Sequence, residues 1–336
     1  MLIFVLSVIH YWKFTADDAY IVCRYAENLI DIGALVFNEG EQICALTSPL
    51  HALLESGLYG LTGATLTSYK FLSVVLVVLS VVIVLRLFRD RPYAQVVVVS
   101  VLLLCPCVIL WTVGGMETPV LMFLLTVLCT LVCVEGEIGL TRQFIICFVA
   151  GLSFVTRFDS VLFAAPLVLY SAARSGGCKR FIIAALLGSL IPLAWLIISI
   201  QYYGDLLPTS FYIKKPDLYY REVIRNAIYI SQYLIMTGFI PFTAFFLVSS
   251  KYPGKAVRRV IEQGRRFWGV YLGIFFVLCY GLTVATKHMM FSFRFFVPYI
   301  PVSVIILANL FEQGKGDLQQ NTAPQQFSKY FFLWLE

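Results

Sequence analysis

The sequence predicts an all-α polytopic membrane protein, and three observations lead to this fold class. Of the 336 residues, 60% are hydrophobic and only 13% are charged. The mean hydropathy is +0.85. The apolar residues also form long runs between short polar loops, whereas a soluble domain has a more even mixture. Because a helix that crosses a bilayer needs about 20 mostly apolar residues in succession, the chain is expected to cross a membrane several times.

Seven apolar runs have the length of a full span. They lie near residues 71–88, 94–112, 117–134, 181–202, 227–249, 267–285 and 295–311. The first apolar run, 1–12, is shorter, and no basic residues precede it. The following "TADDAY" is a poor cleavage site, so we interpret this run as the outer end of a first span and not as a cleaved signal. The chain stops at "FSKYFFLWLE", which has the pattern of another span's opening, so both ends are expected to be truncated.

Residues 143–173 are too many for one crossing and too few for two ordinary ones. Arg157 and Asp159 interrupt this apolar stretch at its middle. We therefore predict two short helices that form a hairpin and turn at "TRFD". The whole chain, 1–336, is then a single transmembrane domain of about ten or eleven transmembrane helices, with no soluble C-terminal domain.

The basic residues predict which loops face the cytoplasm, because short cytoplasmic loops collect Lys and Arg. If the N-terminus starts inside, five inner loops hold 14 Lys and Arg against 6 Asp and Glu. These loops are 86–91, 135–142, 174–180, 251–266 and 312–317. The opposite side, from Lys13 to Arg294, holds 10 against 12. The net charge of +6 is thus a feature of topology, and nothing in it indicates a nucleic-acid partner.

With this orientation, the unusual polar segments gather on the outer face. The long ones are the first outer loop, 13–70, and the loop 203–226, and the short ones are "GGMETP", "TRFD" and "TKHMMFSFRFF". A transporter more often carries ionisable groups at mid-membrane. A site at one interface instead suits a substrate with a lipid tail in the bilayer and a polar head in water.

The first outer loop opens with an amphipathic pattern. After Asp18, the apolar residues of "AYIVCRYAENLIDIG" recur at helical spacing on one face, which predicts a helix lying on the membrane surface with that face down. These residues are Ile21, Val22, Tyr25, Leu29 and Ile32. Carboxylates at the start of a helix satisfy free N–H groups, which is one role for Asp17 and Asp18. Two adjacent carboxylates at a lipid interface also repel each other, which suits one of them to general-base work or to metal binding.

Several segments resemble, in order, the signatures of bacterial polytopic glycosyltransferases of the GT-C fold. They are "DDAYIVCRYAENLIDIGALVFNEGE" followed by "TSPL", then "GGMETP", "LPTSFYIK" and "RFFVPYIP", spread over residues 14–301. The resemblance is greatest to the mycobacterial terminal arabinofuranosyltransferases. It implies a GT-C fold, a polyprenyl-phosphate sugar donor and a catalytic base in the first outer loop, which is Asp18 or Asp17, with Asp18 favoured. The chain departs from that family in having no outer C-terminal domain and in having His51 where an aromatic residue is expected.

The resemblance implies an inverting glycosyltransferase that uses a polyprenyl-phosphate donor. The acceptor would be an envelope glycan or lipid at the outer face of the cytoplasmic membrane, in contact with membrane lipids. The absence of GxGxxG and P-loop patterns agrees with a donor that is not a nucleotide sugar. The alternative is a transporter or flippase of a lipid-linked sugar, which needs no base at the outer interface.

Four cations are candidates for holding the donor phosphate: Arg294, Lys214, Lys215 and Lys287. Arg294 stands in the aromatic run "MMFSFRFFVPY", where an arginine must snorkel, pair or bind an anion. Lys214 and Lys215 could equally belong to a solvated loop.

Five further residues are predicted to bind substrate: Glu117, Tyr212, Ser48, His51 and Arg157. Glu117 could instead cap the following span, and Arg157 is expected to pair with Asp159 before it takes any substrate role. No cofactor is predicted. A divalent metal ion is kept as an alternative, in which His51 and His288 would join the two aspartates.

Overall fold

The computed structural model describes residues 2–134, 136–213, 220–240, 253–284 and 291–315. Within these residues the protein consists of fifteen α-helices joined by loops and short 3-10 turns, with no β-strand. The helices are α1 (Leu2–Tyr11), α2 (Asp17–Asp31), α3 (Pro49–Thr62), α4 (Thr65–Leu87), α5 (Pro92–Leu104), α6 (Pro106–Val113), α7 (Thr118–Cys133), α8 (Leu140–Thr156), α9 (Val161–Ala173), α10 (Cys178–Tyr203), α11 (Thr209–Ile213), α12 (Tyr220–Met236), α13 (Pro253–Arg266), α14 (Trp268–Val284) and α15 (Ile300–Lys315). The predicted all-α class is confirmed for this part of the chain.

Three segments of the described chain are long and apolar enough to cross a membrane. They are Thr65–Leu87, Cys178–Tyr203 and Phe291–Ala308, and the bent pair α5 and α6 adds a fourth if it is one span. The shorter apolar helices have 10–17 residues. These helices are compatible with a membrane protein, whereas the ten or eleven spans and the GT-C fold stay predictions.

The predicted span 94–112 is broken in the structure. Helices α5 and α6 meet at Cys105 with a bend of 50°. Pro106 has no N–H to continue the helical ladder, and its ring excludes the preceding residue from the helical conformation. Cys105 accordingly adopts an extended backbone, with φ −68° and ψ 117°. Hydropathy alone could not reveal this break, because both sides of it are equally apolar.

The predicted hairpin at "TRFD" is confirmed. Helices α8 and α9 are joined by a 3-10 turn at Phe158–Ser160. Their open ends lie side by side, since the backbone N–H of Ile138 donates to the carbonyl of Arg174 at 3.5 Å. Arg157 and Asp159 therefore lie at the tip of the hairpin.

Part of the apolar face of α2 packs on protein, which corrects the prediction that the whole face lies on lipid, whereas Ile32 on that face is 44% exposed. Val22 and Tyr25 are buried against Leu46 and Ala52. Ile21, at 39% exposure, is left on the outside. The first outer loop thus forms a packed layer, because α3 supplies a second apolar surface that covers the first.

Helix α7 forms the centre of the bundle. It is apolar all round, as expected of a helix with neighbours on every side, and it packs against α4, α8, α9 and α15. Helix α10 lies at the periphery and exposes large apolar side chains such as Leu186 and Ile197. A peripheral apolar surface of this kind suits contact with lipid.

The bundle has two chemically different ends. At one end, Arg142 and Arg174 donate to backbone carbonyls where α7 finishes, including that of Val134. Cations there complement the partial negative charge of a helix C-terminus. We call this the basic end. The opposite end, formed by the starts of α2, α4 and α7 and by the tip of the hairpin, is about 24 Å away along the 16 residues of α7. We call it the acidic end.

Glycines let α14 approach α9 closely. Gly269 and Gly273 stand four residues apart on α14, the spacing that brings membrane helices into backbone contact. A Cβ atom at Gly269 would lie 2.9 Å from the carbonyl oxygen of Pro166, and one at Gly273 would lie 2.8 Å from the ring of Phe163. Neither position has room for a methyl group.

We expect Gly269→Ala to destabilise the protein by about 1–3 kcal/mol, the usual cost of overpacking. Gly264→Ala is the matched control, because a Cβ there meets nothing within 4 Å. It should be neutral or stabilising, since Ala favours a helix over Gly by up to about 1 kcal/mol. Thermal unfolding of both variants in the same detergent measures the difference. Equal unfolding temperatures for the two variants would contradict the close contact.

Candidate functional site

Lys70 fixes the segment that leads into the candidate site. Its Nζ donates to the carbonyls of Trp12 at 2.9 Å and Phe14 at 2.7 Å, and to Oγ1 of Thr15 at 2.8 Å. All three donors of the ammonium group are thereby satisfied. This arrangement explains why a lysine is tolerated at the start of the apolar helix α4, and it places α2 directly beside that helix.

Gly114 and Gly115 bring the "GGMETP" loop against the start of α2. The backbone N–H of Ala16 donates to the carbonyl of Gly114 at 3.0 Å. Gly115 has φ +74°, and a Cβ there would lie 2.7 Å from Leu66 and 3.1 Å from Ala19. Only glycine combines that backbone conformation with so close a contact. As a result, Glu117 comes close to the start of α2.

Five side chains of alternating charge meet at the acidic end, and we call them the charge network. Asp18 Oδ2 lies 3.0 Å from Arg294 NH1, and Arg294 NH2 lies 3.2 Å from Glu117 Oε2. Arg157 NH1 lies 3.7 Å from Glu117 Oε1, and Arg157 NH2 lies 2.6 Å from Asp159 Oδ2. The structure thus brings together Asp18, Arg294, Glu117 and Arg157 from distant parts of the sequence. The predicted pairing of Arg157 with Asp159 is also present.

Glu117 is the most enclosed member of this network, with only 4% of its side chain exposed. Burial alone would raise the pKa of Glu117, but Arg294 and Arg157 outweigh it and lower that pKa from 4.5 to about 2. Burial likewise opposes the charged form of Arg157, and Asp159 and Glu117 reverse this, so its pKa rises. Each buried charge is therefore stabilised by at least two groups of opposite sign, as buried ions require.

Arg294 contacts the ring of Trp111 in addition to the carboxylates of Asp18 and Glu117. Its guanidinium carbon lies 5.5 Å from the centre of the Trp111 ring, an arrangement favourable for a cation. The indole Nε1 of Trp111 donates to the carbonyl of Ser292 at 3.0 Å. Ser292 and Phe293 have φ of 48° and 56°, in the left-handed region that is rare for residues other than glycine. Such residues cost about 1–3 kcal/mol each and concentrate at functional sites.

A cavity of about 280 Å³ opens beside the charge network. It is lined by Phe14, Thr15, Ala16, Asp17, Asp18, Trp111, Phe291 and Arg294. Two carboxylates and one guanidinium therefore face a space bordered by three aromatic rings, which resembles the mostly apolar sites with few polar groups that bind small molecules. A second cavity, of about 330 Å³, lies between residues 32–42 and Tyr202, and none of the predicted site residues lines it.

The two adjacent aspartates take different positions. Asp17 is exposed, and its Oδ1 accepts the backbone N–H of Asp18 at 3.0 Å. This contact satisfies one of the free N–H groups at the start of α2, which is the capping role. Asp18 instead has 32% of its side chain exposed and pairs with Arg294. The geometry thus separates a helix-start residue from a residue of the charge network.

His51 and Ser48 do not line the cavity. His51 is fully buried on α3, with its Nε2 3.2 Å from Oε1 of Glu55 but without the alignment of a hydrogen bond. Its ring packs against that of Tyr69, with the ring centres 4.2 Å apart and the planes tilted by 32°. Ser48 is buried at the start of α3, where its carbonyl accepts the N–H of Ala52. Glu55 was not predicted from the sequence, although residues four apart on a helix are neighbours, so a contact between Glu55 and His51 was predictable.

The remaining candidates lie elsewhere. Tyr212 is half exposed on α11, with its ring against Phe211. Lys214, Lys215, Lys287 and His288 fall outside the described residues. Among the residues that are described, no three His, Cys, Asp or Glu side chains converge as metal ligands would.

Lys70 and Trp111 were not among the residues predicted from the sequence. Lys70 is an ionisable residue in an apolar run, which is a signal for a site, and Trp111 stands just before "GGMETP".

Comparisons with known protein families, with characterised proteins and with solved structures found no match to this chain. The candidate function therefore depends on the residues of the acidic end and on the chemistry that they allow.

Glu117→Gln tests the charge network without reference to function. Because the folded pKa of Glu117 lies below its ordinary value, its contribution to stability is complete above about pH 4.5 and is lost as pH falls towards about 2. At neutral pH we expect a loss of about 3–5 kcal/mol, since two buried guanidinium groups lose their shared partner. The control is Glu222→Gln, which breaks the exposed pair with Arg225 and should cost less than about 1 kcal/mol.

Unfolding temperatures measured from pH 7 to pH 3 check both parts of this prediction. The wild type should lose stability relative to Glu117→Gln as the solution becomes more acidic, so the two curves converge. A constant difference across this range would mean that Glu117 is not the titrating group.

Proposed function

We propose that the protein is an inverting glycosyltransferase that takes a sugar from a polyprenyl-phosphate donor. The acceptor is an envelope glycan or lipid. The observation that carries the proposal is the Asp18–Arg294 pair, which faces an aromatic-lined cavity at one end of an apolar bundle. A carboxylate can accept a proton, a guanidinium can hold a phosphate, and the aromatic rings offer apolar faces to a sugar ring.

The reaction requires one displacement. The acceptor hydroxyl attacks the anomeric carbon, its proton passes to the Asp18 carboxylate, and the bond from that carbon to the phosphate oxygen breaks. The donor phosphodiester carries one negative charge, and the departing polyprenyl phosphate carries two, so the charge balances once Asp18 is protonated. Arg294 opposes the charge that grows on the leaving phosphate, which stabilises the transition state more than the ground state.

The other members of the charge network act as positioning residues in this proposal. Glu117 holds the second NH2 group of Arg294, and Arg157 holds Glu117. The ring of Trp111 packs against the guanidinium of Arg294 and also lines the cavity. These contacts would hold the guanidinium of Arg294 in one position while the acceptor hydroxyl and the lipid phosphate react. Such positioning suits a reaction that depends on orientation.

The two aspartates provide the direct test of this chemistry. Transfer by purified protein should be measured with a panel of polyprenyl-phosphate sugars and an acceptor membrane extract. Asp18→Asn should reduce turnover on the order of 100-fold or more, the usual effect of losing a general base. Asp17→Asn should cause a smaller loss, because that carboxylate interacts with the start of α2.

Three outcomes would count against the proposal. Wild-type turnover in Asp18→Asn would exclude it as the base, and a larger loss in Asp17→Asn would reverse the two roles. Movement of lipid-linked sugar across vesicles without any transfer would favour a transporter or flippase.

We also propose that the acidic end faces the periplasm or the cell exterior, with the protein in the cytoplasmic membrane. The basic end carries Arg142 and Arg174, in agreement with the usual excess of cations on the cytoplasmic side. Cys178 is an exposed native thiol at that end, where α10 begins. Glu39 is exposed in the loop after α2, near the opposite end of α10, where Tyr203 donates to the carbonyl of Leu35.

Thiol labelling of intact bacterial cells checks this orientation. Cys178 should resist a membrane-impermeant maleimide until the cells are opened, and Cys178→Ser should reduce the signal to the level that Cys279, another exposed thiol, contributes. In the Cys178→Ser background, Glu39→Cys should react in intact cells. The opposite pattern would place the charge network on the cytoplasmic side.

A further inference from the structure

The guanidinium of Arg294 is already occupied in the structure by two carboxylates of different character. Its NH2 lies 3.3 Å and 3.2 Å from the two oxygens of Glu117, a group with 4% of its side chain exposed. Its NH1 lies 3.0 Å from Asp18, a group with 32% of its side chain exposed. A ligand phosphate that binds the NH1 edge of Arg294 must therefore compete with Asp18.

The geometry makes Asp18 the exchangeable partner. Both Asp18 and Arg294 line the cavity, whereas Glu117 does not. Glu117 is also held from its far side by Arg157 at 3.7 Å, and Arg157 is fixed in turn by two contacts to Asp159. Asp18 has no second cation within ion-pair distance among the described residues. An anion that enters the cavity thus meets the weaker of the two pairs first.

The same pair restrains the group that must accept a proton. The Oδ2 atom of Asp18 lies 3.0 Å from NH1 of Arg294 and is directed at that guanidinium, so this oxygen is not available to an acceptor hydroxyl. As long as Asp18 holds Arg294, only its Oδ1 atom lies outside that contact.

We propose that the phosphate of the lipid donor displaces Asp18 from Arg294 and so releases the carboxylate that accepts the proton of the acceptor. This exchange depends on the proposed glycosyltransferase function, which it makes more specific. The donor binds first, both oxygens of Asp18 are released from Arg294 once the donor is in place, and the acceptor then loses its proton to Asp18. Glu117 and Arg157 keep the guanidinium in position throughout.

The exchange predicts an unusual effect of removing the base. Asp18→Asn should bind the lipid phosphate about two- to fivefold more tightly than the wild type, because the competing partly exposed ion pair is gone. A base that does not compete for Arg294 would leave affinity unchanged or reduce it. The matched control is Asp17→Asn, which removes the same charge from the same cavity wall without touching Arg294. Its effect on affinity should be smaller.

Affinity can be measured without turnover, using farnesyl phosphate as the probe and calorimetry or thermal shift of purified protein in detergent. Farnesol and inorganic phosphate are the two further ligands, because they separate the lipid tail from the anion. Arg294→Gln should weaken binding of farnesyl phosphate. The double variant Asp18→Asn with Arg294→Gln should show no gain over Arg294→Gln alone, since the two residues act through one contact.

The outcomes distinguish this exchange from the function on which it rests. If the wild type binds neither farnesyl phosphate nor inorganic phosphate, the proposed function and the exchange both fail. If it binds farnesyl phosphate and Asp18→Asn binds no more tightly than Asp17→Asn, the exchange is wrong while the function stands. Asp18→Ala replaces Asp18→Asn if the latter does not fold, and the same comparison with Asp17→Asn then decides.

Discussion

The acidic end depends on one carboxylate that two guanidinium groups share. Glu117 lies between Arg294 and Arg157 and is almost fully enclosed. At such distances each pair is worth about 4–5 kcal/mol in an environment of moderate polarity. Burying each ion costs several kcal/mol in return, so the net gain in stability is small. What the arrangement provides is position, because it joins the start of α7, the tip of the hairpin and the residues before α15.

This position is maintained against local backbone preference. Ser292 and Phe293 adopt left-handed conformations that neither residue favours. The indole of Trp111 satisfies the carbonyl of Ser292, and the two carboxylates attract the guanidinium that follows. Contacts between residues distant in sequence therefore determine the conformation of this short stretch. A local conformation of this kind has no signal in the local sequence.

The sequence was sufficient for features that depend on composition along the chain. It predicted the hairpin at Arg157 and Asp159, since charges interrupt an apolar stretch there. It also indicated Asp18, Glu117 and Arg294 as candidate site residues, because each is an ionisable group close to an apolar run. It could not predict that these side chains contact one another, because the contact requires the close approach that Gly115 permits. It could not predict that His51 is buried away from the cavity, because its burial beside Tyr69 depends on how α3 and α4 pack.

The two carboxylate partners of Arg294 differ in exposure, which is the basis of the proposed exchange. The side chain of Glu117 is 4% exposed and that of Asp18 is 32% exposed, although both contact the same guanidinium. Solvent weakens an ion pair by screening it and by offering each ion another partner, so the same chemical pair is weaker at the cavity than beneath it. An arginine that is anchored on its buried side and only lightly held on its open side can accept an incoming anion without moving. In the proposed reaction, the side chain that such an anion replaces is also the one that takes the proton.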